Sequence, residues 1–102
     1  MINETRIEEV FSEESFVNQL VGRETPEEVQ ALLAEKGICV SPDDIWKARE
    51  ILVRQAPLLL VGEELDLAAC EGDGCMALLK GFDVAGIAAI VYFTETAAKN
   101  RW

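Results

Sequence analysis

Apolar residues in the first half of the chain recur at the spacing of a helix face and nowhere alternate as a strand would. Ile7, Val10 and Phe11 fall at i, i+3 and i+4, and Phe16, Val17, Leu20 and Val21 extend the stripe to Gly22. Ser12 is placed to cap a second turn, with Glu13 and Glu14 following against the positive end of the helix dipole. Asn3–Val21 therefore reads as one kinked helix or two short ones. The next start signal is the strongest in the chain. Thr25-Pro26-Glu27-Glu28 sets a capping hydroxyl, a proline at the first helical position and a glutamate three residues after the cap. Val29, Leu32 and Leu33 share one face of this helix, and Gly37 ends it. After the short extended connector Ile38-Cys39-Val40, Ser41-Pro42-Asp43-Asp44 repeats the cap, proline and acid order. The helix from Pro42 is expected to reach about Gln55 and to be stopped by Pro57.

The second half is patterned differently. Leu58–Val61 is an apolar patch, followed by Gly62 and the acidic run Glu63–Ala69. Glu71-Gly72-Asp73-Gly74 is a glycine-rich break. Beyond it the chain is apolar and rich in small residues, and Ala85–Phe93 fits either a helix or a strand by periodicity alone. A helix packed back on the first half is the expectation. The fold class is all-α, with three to four helices over residues 1–56 and a helical C-terminal extension. Residues 57–74 form an acidic segment and glycine hinge, and residues 75–102 form an apolar tail. Residues 1–56 are expected to fold without the rest, around a thin core.

Charge narrows the function. Nineteen acids against nine bases give a net charge of −10, with no histidine. Such a chain repels phosphate, which excludes nucleic-acid binding as its main role. Without histidine it lacks the commonest general base and the commonest metal ligand. No nucleophilic, metal or acid–base constellation is present in the pattern, so the expectation is a non-enzyme with no cofactor and no metal. The pairs Glu8-Glu9, Glu13-Glu14, Glu27-Glu28 and Asp43-Asp44 mostly sit where helix starts favour negative charge. Cys39, between Ile38 and Val40, reads as a small buried residue, and Cys70 and Cys75 lack partners for a zinc site. There is no secretory signal pattern, and Val84–Phe93 is too short to span a bilayer. The intact chain is expected in the cytoplasm and off the membrane.

One ordered set of motifs carries a family resemblance. Ile7-Glu8-Glu9-Val10-Phe11-Ser12-Glu13-Glu14-Ser15-Phe16-Val17 leads to Glu24-Thr25-Pro26-Glu27-Glu28-Val29-Gln30-Ala31-Leu32-Leu33-Ala34-Glu35-Lys36-Gly37-Ile38, then Val40-Ser41 and another acidic-aliphatic helix. Over roughly residues 5–56 this resembles the Nif-eleven-type (nitrogen-fixation-associated) leader domain of ribosomally made, post-translationally modified peptide precursors. The nitrile-hydratase-like leader is the sister group. The resemblance implies a two-part, bacteriocin-like precursor. A leader is bound by a peptide-modifying enzyme and a processing exporter, and a C-terminal core is modified, released and exported. Glu63-Glu64-Leu65 and Ala68-Ala69 fit the Glu-Leu-rich segment before such a cut, which falls at Gly72 or Gly74. The family's Gly-Gly pair is replaced here by Cys70-Glu71-Gly72-Asp73-Gly74. For thioether chemistry the tail offers only Cys75, Thr94 and Thr96, enough for one ring and not an array.

The helix after Ser41 is apolar over more than half its circumference, wider than packing on one side needs. Trp46, Ile51 and Val53 are accordingly the expected partner-binding residues, and exposed apolar width on a thin core also suggests homo-oligomers. The alternative function is an acidic helical protein–protein interaction module that is never cut. The tail distinguishes the two readings. A core peptide should be loosely held and cleavable after Gly72 or Gly74, whereas a module's tail should be packed and protected.

Overall fold

The structure is a computed structural model that describes residues 4–67, 70, 72–100 and 102. It is all-α, with helices α1 (Glu4–Phe11), α2 (Glu14–Val21), α3 (Pro26–Glu35), α4 (Pro42–Leu60), α5 (Asp73–Ala85) and α6 (Ile87–Asn100). No strand occurs among the described residues.

The first stripe divides into two helices at Ser12, but not through the expected cap. Glu13 holds the N-cap position of α2 with no side-chain bond. The Ser12 hydroxyl instead donates back to the Glu8 carbonyl and closes the end of α1. The later caps form as the sequence dictates. Thr25 Oγ1 accepts from the Glu28 N–H at 3.3 Å, and Ser41 and Asp44 make a reciprocal capping box. At the end of α3, Gly37 adopts φ 83°, and the Gly37 and Ile38 N–H groups bond Ala34 and Leu33 carbonyls. That double bond is the Schellman stop, which requires a left-handed residue.

Two boundaries differ from expectation. Helix α4 runs through Pro57 to Leu60 and stops at a second Schellman turn, with Gly62 at φ 94°. Pro57 lacks the N–H that would meet the Val53 carbonyl, but both residues lie on the exposed side of α4, where a missing helix bond costs least. In the tail, the expected helix is interrupted at Gly86, whose φ of 99° ends α5 and starts α6 in a new direction. In the 38–40 connector, Ile38 and Val40 are buried while Cys39 points to solvent. An extended backbone alternates its side chains, so the flanking pair takes the inner face and the cysteine cannot.

All six helices contribute to one core cluster, apart from its partly buried fringe. An aromatic chain runs through it, Phe16–Phe11–Phe82–Phe93–Trp102, with successive ring centroids 6.4, 5.4, 4.8 and 5.3 Å apart. Helix α5 lies against both α1 and α4, and α6 against α4 and α2. Gly81 makes the α1–α5 approach close, since a Cβ there would stand 2.5 Å from the Phe11 ring. Phe11 is itself gripped by Phe16 and Phe82, so it has little room to yield. Gly81→Ala is therefore expected to destabilise the fold by about 1–3 kcal/mol despite raising helix propensity. Urea melts of the two proteins check this; equal or higher stability in the variant contradicts the close packing.

Candidate partner-binding surface

Helix α4 divides its wide apolar arc between two environments. Ile45, Ala48, Ile51 and Leu52 face the core, whereas Trp46 and Val53 remain 40 % and 44 % exposed. Ile51 thus leaves the expected partner-binding set, because at 9 % exposure its side chain belongs to the core beside Leu52. Trp46 and Val53 are seven residues apart and share a helix edge, and Leu60, 67 % exposed, falls one heptad further along it. Arg49 occupies the same edge at i+3 from Trp46. Its Nε is buried without a hydrogen-bond partner among the described residues. Tryptophan and arginine are the residue types enriched in contact hot spots, and this edge carries one of each.

A second surface lies outside the residues expected to bind a partner. A groove of about 570 Å³ opens between α2 and the α5–α6 corner, lined among others by Phe11, Glu14, Val17, Val84, Ala88 and Tyr92. Its signal was the run Ala85, Ala88 and Ala89, whose short side chains leave space that larger residues would fill. Val84, Ile87 and Tyr92 are exposed beside it, 43 %, 37 % and 55 %.

The expected cut and modification residues are dispersed. Gly72 is exposed, with φ 92°, at the N-cap of α5. Gly74 is not in a hinge: it lies in the first turn of α5, where a Cβ would collide with the Asp44 carboxylate. The glycine there lets the start of α5 sit on the start of α4. Cys75 is fully buried, and Thr94 is buried with its hydroxyl donating to the Val91 carbonyl at 3.0 Å. Thr96 is half-buried on α6. In the folded chain, Cys75 and Thr94 are thus out of reach of a modifying enzyme.

The linker 61–67 is exposed except at Leu65 and Leu67, which pack on the core fringe. The Gln55 side-chain amide brackets Asp66, accepting from its N–H at 2.6 Å and donating to its carbonyl at 3.1 Å. The amide acts like a short strand partner and pins the middle of the linker to α4. Among the described residues there is no group of three or more potential metal ligands, and no helix is long and apolar enough to cross a membrane. Comparison with known families, curated proteins and solved structures found no match.

Proposed function

We propose that this protein is a non-catalytic, acidic helical interaction module that works with its tail in place. The observation that supports this most is the burial of Cys75, Leu78, Leu79, Phe82, Ile90 and Phe93 in the core shared with α1, α2 and α4. A segment destined for release would not supply the centre of its own carrier. The partner face is the Trp46–Arg49–Val53 edge of α4. That edge sets Trp46 and Val53 beside the cationic Arg49, so the partner it favours carries apolar anchors next to an acidic group.

The second reading is the precursor that the family resemblance implies, and the linker favours it. Gly62, Glu63, Glu64, Asp66 and Gly72 are exposed, and a cut after Gly72 leaves α5 whole. In that reading α1–α4 are the leader, and the partner is a peptide-modifying enzyme and then an exporter. Intact-mass analysis of the protein isolated from its own host separates the two. An unmodified full-length chain supports the module; loss of water, or a fragment beginning at Asp73, supports the precursor.

Both readings place a partner on Trp46. Trp46→Ala is expected to weaken that partner by about 2 kcal/mol or more while costing the fold less than Leu52→Ala, which removes a fully buried side chain at about 2–5 kcal/mol. Calorimetry with the partner that co-purifies from the host, beside thermal melts of both variants, measures the two effects separately. If Trp46→Ala unfolds the protein as badly as Leu52→Ala, the tryptophan is a core residue and the face is misassigned.

A further inference from the structure

The two cysteines that flank Gly72 lie against each other. The Cys75 thiol, fully buried in the first turn of α5, donates to Cys70 Sγ at 3.0 Å. Cys70 is half-buried on the core fringe at the end of the linker. Gly72 turns the chain between them in a left-handed conformation that few other residues adopt. Two backbone bonds hold the arrangement on either side, Cys70 N–H to the Leu67 carbonyl at 3.2 Å and Met76 N–H to the Gly72 carbonyl at 3.3 Å. A disulfide has its sulfurs about 2.05 Å apart, so closure needs an approach of only about 1 Å. With just four residues between the cysteines, the entropy of bringing them together is small and is already met by the fold.

We propose that Cys70 and Cys75 are a disulfide-forming site that reacts with a low-molecular-weight disulfide and, once oxidised, staples the acidic linker to α5 across Gly72. The chemistry balances in two exchanges. The Cys70 thiolate, the reachable one, attacks a sulfur of the small disulfide, forming a mixed disulfide and expelling one small thiolate. The Cys75 thiolate then attacks Cys70 Sγ, forms the internal bond and expels the second. Both protein protons pass through solvent to the two released thiolates. Two protein thiols are oxidised, and one small disulfide is reduced to two thiols.

The surroundings set the rate. Burial, then the adjoining Cys75 sulfur, with a further contribution from Asp66, pushes the Cys70 thiol up to about 12. Only the thiolate is nucleophilic, so the pair reacts faster as pH rises. Backbone cleavage at Gly72 of the oxidised chain leaves both parts covalently joined, and separation then requires a reductant.

The test uses the full chain carrying Cys39→Ser, which removes the exposed third thiol. Glutathione disulfide is added at pH 7, 8 and 9, remaining thiols are alkylated, and the denatured protein is digested with a glutamate-specific protease. Cuts at Glu64, Glu71 and Glu95 place Cys70 in peptide 65–71 and Cys75 in peptide 72–95. The expected product is these two peptides linked without reductant and separate with it, forming about tenfold faster per pH unit. In Cys39→Ser, Cys70→Ser the remaining Cys75 is expected to stay unreactive in the native protein. Two fully alkylated thiols at every pH, or a glutathione adduct on Cys70 that never resolves, would overturn the assignment.

Discussion

A fragment ending at Ala56 is expected to lose its cooperative melt, although it keeps every helix start signal of the first half. Eight of the 23 buried hydrophobic side chains among the described residues come from α5 and α6. Five of them, Leu78, Leu79, Phe82, Ile90 and Phe93, are large. At about 1.5–3 kcal/mol for each large side chain, their burial is worth on the order of 10 kcal/mol. That matches the whole net stability of a typical domain, about 5–15 kcal/mol. Without the tail, Phe11 on α1 loses Phe82, and α1 and α4 lose the helices packed against them. Isolated helices of eight to ten residues such as α1, α2 and α3 are too short to persist alone in water. Circular dichroism of residues 1–56 should show partial helicity that fades gradually on heating. Adding a peptide of residues 73–102 should restore a sigmoidal transition. A sharp transition in the fragment alone would show that the first four helices form an independent domain.

The local part of this fold was readable from the residues because it is written in local chemistry. A cap hydroxyl, a proline at the first helical position and an acid three residues on act within one turn, and at Thr25 and Ser41 they decide the outcome by themselves. The failures are places where a competing local bond, solvent exposure or a distant contact outvotes the expected preference. Ser12 has the chemistry of a cap, yet its hydroxyl is taken by Glu8. Pro57 is a helix breaker whose missing bond faces water, so α4 continues to the glycine that actually supplies the left-handed turn. Gly81 carries no sequence signal at all; only the Phe11 ring across the interface explains why a side chain is excluded.

The candidate surface was half legible for the same reason. A helical wheel reports that α4 is apolar too far round, and that much is sound. It does not report which flank the rest of the chain will cover. Ile51 and Val53 are both apolar and two positions apart, but the core takes Ile51 and leaves Val53 exposed with Trp46. Cys70 and Cys75 likewise look like two free thiols in sequence. Their juxtaposition depends on Gly72 reversing the chain and on α5 sinking Cys75 into the core.

Phe82 is the residue on which the two halves meet, and Phe82→Ala is expected to be among the most damaging single substitutions in the protein. Its ring is 1 % exposed, 5.4 Å from Phe11 on α1 and 4.8 Å from Phe93 on α6. Removing it deletes buried area, leaves a cavity between three helices and breaks the middle of the aromatic chain. Phe→Ala changes of this kind cost about 3–5 kcal/mol, and aromatic pairs lose about 0.5–1.5 kcal/mol beyond area. Collapse can fill little of the space, because at Gly81 α5 already stands against the Phe11 ring. Phe93→Ala should cost a similar amount, but Tyr92→Ala, one position along and 55 % exposed, should cost less than about 1 kcal/mol. Urea denaturation of the three variants gives the ranking directly. A mild Phe82→Ala, with the tail still protected from hydrogen exchange, would mean that α5 and α6 are held by something other than this core.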